Sequence, residues 1–232
     1  MRKFIGLNWK MNPKAPREAL ALARTARKAG RKHTVVVFPP FPFLPAVSKI
    51  GKGISLGAQD FFHEPKGAYT GEVSLPMLKS FGVRYALVGH SERRAIGETD
   101  SLILKKLKAA RGMKVTPVLC VGEPWSVRRK GRRVAEAYVR RQLAVLGRSG
   151  KGLIVAYEPL WAIGTGRACS VSDAAAMAKF IKRVSRVKTL YGGSVDAKNV
   201  KAFLSESKID GALVGGASAD LRKLRAMAKA LK

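Results

Sequence analysis

Eight short apolar, β-rich runs recur along the chain, and helical patterns fill most of the gaps between them. The runs are residues 3–9, 33–39, 54–59, 83–89, 115–122, 153–158, 187–193 and 209–216. Most are continuously apolar instead of alternating, as expected of strands covered on both faces. A strand followed by a helix, repeated eight times, implies a parallel sheet with right-handed crossovers. Eight such units close into a barrel. The alternative is an open doubly wound sheet, but no G-x-G-x-x-G follows the first run. No linker rich in Pro, Gly or Ser divides the chain. The expectation is an α/β protein, a single-domain (β/α)8 barrel spanning residues 1–232.

The helical segments carry their own punctuation. The segment 16–30 has Pro16 near its start and Gly30 at its end, the usual asymmetry. The segment 100–112 sets Leu104, Leu107 and Lys108 on neighbouring turns and ends at Gly112. The segment 132–147 carries Val134, Tyr138, Leu143 and Leu146. Ser172 and Asp196 are the expected caps of the next two helices. Leu221, Leu224 and Met227 form the stripe of the last.

Several function classes drop out. No run of about 18 uncharged apolar residues exists to span a membrane. The apolar stretch at the N-terminus is short and broken by Asn8 and Lys10, unlike a signal peptide. Cys120 and Cys169 are far apart and show no metal spacing, so two reduced thiols in a cytoplasmic protein are expected. Lys and Arg total 45 against 15 Asp and Glu, a net charge of +30. Such a surface attracts polyanions. The cations are spread along the chain, however, and the densest run, RRKGRR at 128–133, has no interleaved aromatics. A solvated face is the favoured reading, with nucleic-acid binding only a non-specific consequence of charge.

In a parallel barrel, chemistry gathers at the C-terminal ends of the strands. There the sequence sets Asn8 and Lys10 after the first run, His90 and Glu92 after the fourth, and Glu158 after the sixth. Gly192, Gly193 and Ser194 follow the seventh, and Gly215 and Gly216 the eighth. Glycines before a helix let backbone N–H groups approach an anion, which points to phosphate. After Glu158, Pro159 stiffens the exit, Trp161 and Ile163 are apolar, and Gly164 and Gly166 suit hinge motion. A carboxylate beneath a closable apolar flap suits proton abstraction beside a carbonyl. SERR, which follows His90, is expected to begin a short helix whose N-terminus disfavours an imidazolium.

The segments NWKMN (8–12), AQDFFHEPKGAYTGEVS (58–74), GHSERR (89–94), AYEPLWAIGTG (156–166), YGGSV (191–195) and VGGAS (214–218) resemble the triosephosphate isomerase family, in the family's order. The resemblance implies a TIM barrel that interconverts D-glyceraldehyde 3-phosphate and dihydroxyacetone phosphate through an enediolate. It implies Glu158 as the base, His90 as a neutral electrophile and Lys10 as the cation for the developing oxyanion. Asn8 would orient the substrate, and Glu92 would pair with Lys10 or move protons near the site. Gly164, Ser194, Gly215 and Gly216 would hold phosphate. The lid would run Pro159, Leu160, Trp161, Ala162, Ile163, Gly164, Thr165, Gly166, with Glu123 as partner of Trp161. Thr70 would reach the active site of a second copy, making a homodimer. No metal and no cofactor are implied.

Two other readings stand beside this one. A phosphate-binding barrel for a larger sugar would share the glycines but would not require AYEPLWAIGTG with GHSERR. A basic binding protein on a dead barrel would have lost Glu158, His90 or Lys10. The chain departs from the family pattern at Asp60, usually asparagine, and at Arg167-Ala168-Cys169, where the lid's exit is altered.

Overall fold

The computed structural model describes residues 2–147, 150–163 and 169–231. Eight parallel strands close on themselves in chain order: β1 Phe4–Asn8, β2 Thr34–Phe38, β3 Ser55–Ala58, β4 Val83–Val88, β5 Thr116–Val121, β6 Ile154–Tyr157, β7 Lys188–Tyr191 and β8 Gly211–Val214. β8 pairs back onto β1, with Ile5 opposite Ala212. All eight strands expected from the sequence form, and the closed ring excludes the open doubly wound sheet.

The helices are α1 Pro16–Arg27, α2 Leu44–Ser48, α3 Leu75–Ser80, α4 Ser91–Ala95, α5 Asp100–Gly112, α6 Trp125–Arg128, α7 Arg132–Leu143, α8 Val171–Ser185, α9 Val200–Ser205, α10 Gly216–Ala219 and α11 Leu221–Ala230. Two expected caps move. α8 is capped by Ser170, whose Oγ accepts the Asp173 amide at 3.0 Å, and not by Ser172. Asp196 accepts the Lys198 and Asn199 amides in the turn ahead of α9, which starts only at Val200.

Strand side chains alternate between two cores. Phe4, Val36, Phe38, Leu87, Val118, Cys120, Ile154, Ala156, Leu190 and Leu213 fill the barrel. Their neighbours, such as Ile5, Leu7, Val155 and Tyr157, pack outward with the helices. Helix stripes cover that outer face: Ala19, Leu22, Ala23 and Ala26 on α1, and Leu224, Met227 and Ala228 on α11. Leu104 and Val134 do not belong to the stripes and are exposed.

This alternation positions the site. Because successive side chains change faces, stepping by two from Phe4 along β1 reaches Asn8. The same step leads from Ala156 to Glu158, from Leu190 to Gly192 and from Leu213 to Gly215. On these four strands the inward row therefore continues beyond the packed core into the barrel mouth.

Candidate active site

Glu158 follows β6 and is 3% exposed. Its amide donates to the Val121 carbonyl at 2.7 Å, extending the β5–β6 ladder by one residue. Gly122 permits this approach, since a Cβ there would lie 1.7 Å from the Glu158 carbonyl oxygen. The carboxylate meets two donors from the β4 end. Its Oε2 accepts the Ser91 amide at 3.1 Å, and its Oε1 lies 3.3 Å from His90 Nε2.

His90 is 7% exposed and stands at the N-cap of α4, the short helix expected after it. The Glu92 amide donates to His90 Nδ1 at 3.2 Å. With Nδ1 in the accepting role, Nε2 is the ring nitrogen left to donate. Nε2 is the nitrogen that faces both Glu158 and Asn8, whose Nδ2 lies 3.4 Å away.

Lys10 has a positive φ of 55°, a strained region for a side chain-bearing residue. Its neighbours hold it there. The Lys10 amide donates to Asn8 Oδ1 at 3.1 Å, and Gln59 Nε2 donates to its carbonyl at 2.8 Å. The ammonium donates to Glu92 Oε1 at 2.5 Å. A Cβ on Gly215 would come within 3.2 Å of Lys10 Cε, so that glycine also leaves room for the lysine stem.

A cavity of about 350 Å³ joins these groups. Asn8, Lys10, His90, Glu158, Ile163, Ser194, Gly215 and Gly216 all line it. Glu92 lines an adjoining cavity of about 310 Å³ that shares Asn8, Lys10 and His90. Lys223 on α11 and Asn199 also line the first cavity. The sequence reading missed both, because neither stands directly at a strand end.

The segment after Glu158 begins with Pro159 and makes a single turn over Leu160–Ala162. Trp161 Nε1 donates to Glu123 Oε1 at 3.0 Å, and the Tyr157 hydroxyl donates to the same oxygen at 3.0 Å. Ala162 is buried, and its carbonyl accepts from Ser194 Oγ at 2.7 Å. Gly164, Thr165 and Gly166 lie outside the described residues. Thr70 and Tyr69 are exposed at the tip of the loop between β3 and α3, with Tyr69 packed on Phe62 at a centroid distance of 4.4 Å.

The sequence profile of the triosephosphate isomerase family matches residues 3–231. The chain belongs to the triosephosphate isomerase family. It is 43% identical to the triosephosphate isomerase of Thermoanaerobacter pseudethanolicus over 235 residues, 94% of each chain. It is 43% identical to that of Carboxydothermus hydrogenoformans over 249 aligned positions, 99% of each chain. A third member, from Acidithiobacillus ferrooxidans, is 44% identical over 93% of this chain and 91% of its own. Asp60, where the sequence departs from the family pattern, accepts from Lys106 Nζ at 2.5 Å and pairs with Arg93 at 2.7 Å.

Proposed function

We propose that the chain, as one domain spanning residues 1–232, interconverts D-glyceraldehyde 3-phosphate and dihydroxyacetone phosphate. The observation that carries this reading is the shared cavity: a buried carboxylate, an imidazole N–H and an ammonium all face one space of about 350 Å³. Glu158 takes a proton from the carbon beside the carbonyl. The Nε2–H of His90 and the ammonium of Lys10 stabilise the oxygen charge of the resulting enediolate. Glu158 then returns a proton to the neighbouring carbon, while one proton passes from oxygen to oxygen at His90, and the isomerisation balances.

Asn8 orients His90 and the substrate. Glu92, at 2.5 Å from the Lys10 ammonium, fixes where that charge sits. Gly164 and the cavity-lining Ser194, Gly215 and Gly216 supply the phosphate end, and Lys223 adds a cation to the same cavity. The segment Pro159–Gly166 acts as a lid that excludes water from the enediolate. The exposed loop carrying Thr70 fits against a second copy, giving a homodimer. Among the described residues no helix is long and apolar enough to cross a membrane, and the reading places the protein in the cytoplasm with no cofactor.

The test is a coupled assay of triose phosphate isomerisation with the intact chain and with Glu158→Asp. Shortening the side chain by one methylene withdraws the carboxylate by about 1 Å or more, which costs about 100-fold in kcat. Equal rates in the two proteins would remove Glu158 from the role of base.

A further inference from the structure

Apart from Arg128, whose guanidinium lies 5.5 Å from the Trp161 ring centroid and 2.5 Å from Asp173, the RRKGRR run has no part in the isomerase reading. In the fold it does not stand alone. Between Trp125 and Leu143 seven Lys and Arg side chains stand against one carboxylate, Glu136, whereas the whole chain has 45 against 15. α7 packs beside α8, and a groove of about 480 Å³ runs between them, lined by Arg132, Arg133, Glu136, Lys179, Phe180 and Arg183. None of these residues lines the barrel mouth.

The groove is organised beyond its charge. Phe180 is 2% exposed and forms the floor. The guanidinium of Arg140 lies 5.1 Å from its ring centroid and that of Arg183 lies 5.6 Å away. Stacking on one ring restrains two long side chains that would otherwise lose rotamer freedom on binding an anion. Arg132 is paired with Glu136 at 2.8 Å. Among the described residues, Arg133, Arg140, Lys179 and Arg183 pair with no carboxylate. Lys179 and Arg183 are one helical turn apart on α8, so their Cβ atoms are neighbours about 5–6 Å apart on one face.

We propose that this groove binds the phosphate backbone of nucleic acid, single-stranded RNA in the first instance, without sequence preference. A row of unpaired cations on a flank away from the mouth matches a linear polyanion, whose binding is driven by release of condensed counterions. A protein partner would call for apolar anchors at the centre of the contact, but here the central aromatic is buried beneath two guanidiniums. Four backbone contacts on a single strand predict a slope of about −2.8 in log K against log salt, or about a 50-fold loss of affinity between about 50 and 200 mM salt.

The experiment is fluorescence polarisation of a labelled mixed-sequence RNA oligonucleotide with the intact protein. The triple variant Arg133→Glu, Lys179→Glu, Arg183→Glu is compared with a control of equal charge change, Arg17→Glu, Arg24→Glu, Arg225→Glu, on α1 and α11. The expected result is saturable, salt-sensitive binding that the groove variant loses by about tenfold or more and the control largely keeps, with isomerase activity intact in both. Lysine acetylation of the unaltered protein gives a second readout, in which RNA protects Lys179 more than Lys105. The proposal is overturned by absence of binding at low salt, by equal losses in the two variants, or by equal protection of the two lysines. Capture of phosphatidylserine vesicles without RNA binding would overturn it in favour of a membrane surface.

Discussion

Replacing Lys106 by methionine tests the reading of the β3–β4 end most directly. Lys106, on α5, is 2% exposed and stands between two carboxylates. Its ammonium sits 2.6 Å from Glu98 Oε1 and 2.5 Å from Asp60 Oδ1. The Glu98 side chain is 1% exposed and its other oxygen accepts the Gly89 amide at 3.0 Å. Gly89 precedes His90, so one ammonium ties α5 to the residues that carry the imidazole. Lys106→Met keeps the length and strands a buried carboxylate. Removing one partner of a buried pair costs about 3–5 kcal/mol. For a chain of this size that is a fall in Tm of about 6–20 °C.

The controls separate charge from packing. Asp60→Asn keeps an acceptor for Lys106, and the Arg93 partner it loses is 41% exposed at the side chain, so the change is expected to cost about 1 kcal/mol or less. Adding Glu98→Gln to Lys106→Met removes the stranded charge while keeping an acceptor for Gly89, and is expected to recover a large part of the loss. Thermal unfolding followed by circular dichroism reads all three. If Lys106→Met proved no less stable than Asp60→Asn, or if Glu98→Gln rescued nothing, the network would not be holding this end of the barrel.

Other outcomes follow from individual groups. Burial holds the His33 imidazole below its ordinary value; Nε2 faces the Leu231 carbonyl at 3.2 Å, while Nδ1 is buried with no partner among the described residues. The unfolded chain therefore protonates His33 first, at about pH 6.5, so stability is full above that pH and declines as pH falls towards the lowered folded value. Replacing His33 by Gln should flatten the decline of Tm with acid, and an unchanged profile would refute the assignment. Burial also pushes both thiols up, that of Cys169 to about 12. Neither should react with Ellman's reagent at about pH 8 until the chain is unfolded, and prompt labelling of the native protein would contradict their burial. The net charge of +30 should draw a phosphate dianion towards the mouth, so kcat/KM should fall as ionic strength rises. A flat profile would show that the surface charge does not steer substrate.

The strands were legible because most are continuous apolar runs, and the mouth because polar residues and glycines ended those runs. What escaped the sequence reading has identifiable causes. The buried stripe of α5 is Ile103, Lys106, Leu107 and Ala110, a regular i, i+3, i+4, i+7 pattern. Reading Lys106 as polar moves the stripe by a residue and puts Leu104 in the core, where it is not. Nothing local reveals that Lys106 is buried, because its partners stand at positions 60 and 98. The cap of α8 was legible, since Ser170 and Asp173 have the S-x-x-D spacing of a capping box, but two nearby serines compete for that role. Lys223 reaches the mouth only through the packing of α11, which no strand-end argument contains.

The distribution of the 15 carboxylates gives the charge surplus a further meaning. Glu98, Glu123 and Glu158 are the buried ones, at 5%, 0% and 3% exposed, and all three follow β4, β5 or β6. Their donors differ. Glu98 faces the ammonium of Lys106, and its other oxygen accepts the Gly89 amide. Glu123 receives a phenol and an indole, neutral donors that fix side chains in place. Glu158 receives the Ser91 amide, faces one nitrogen of His90 and has the Cys120 thiol as a further side-chain partner. Of the three, Glu158 is the one that lines the cavity at the barrel mouth. In a chain with 45 cations, such an acid has to be shielded from them. The ammonium that lines the same cavity, that of Lys10, is held by Glu92 at 2.5 Å. In the proposed reaction Glu92 therefore acts through Lys10: it keeps the ammonium available to the substrate's oxygen and away from the base.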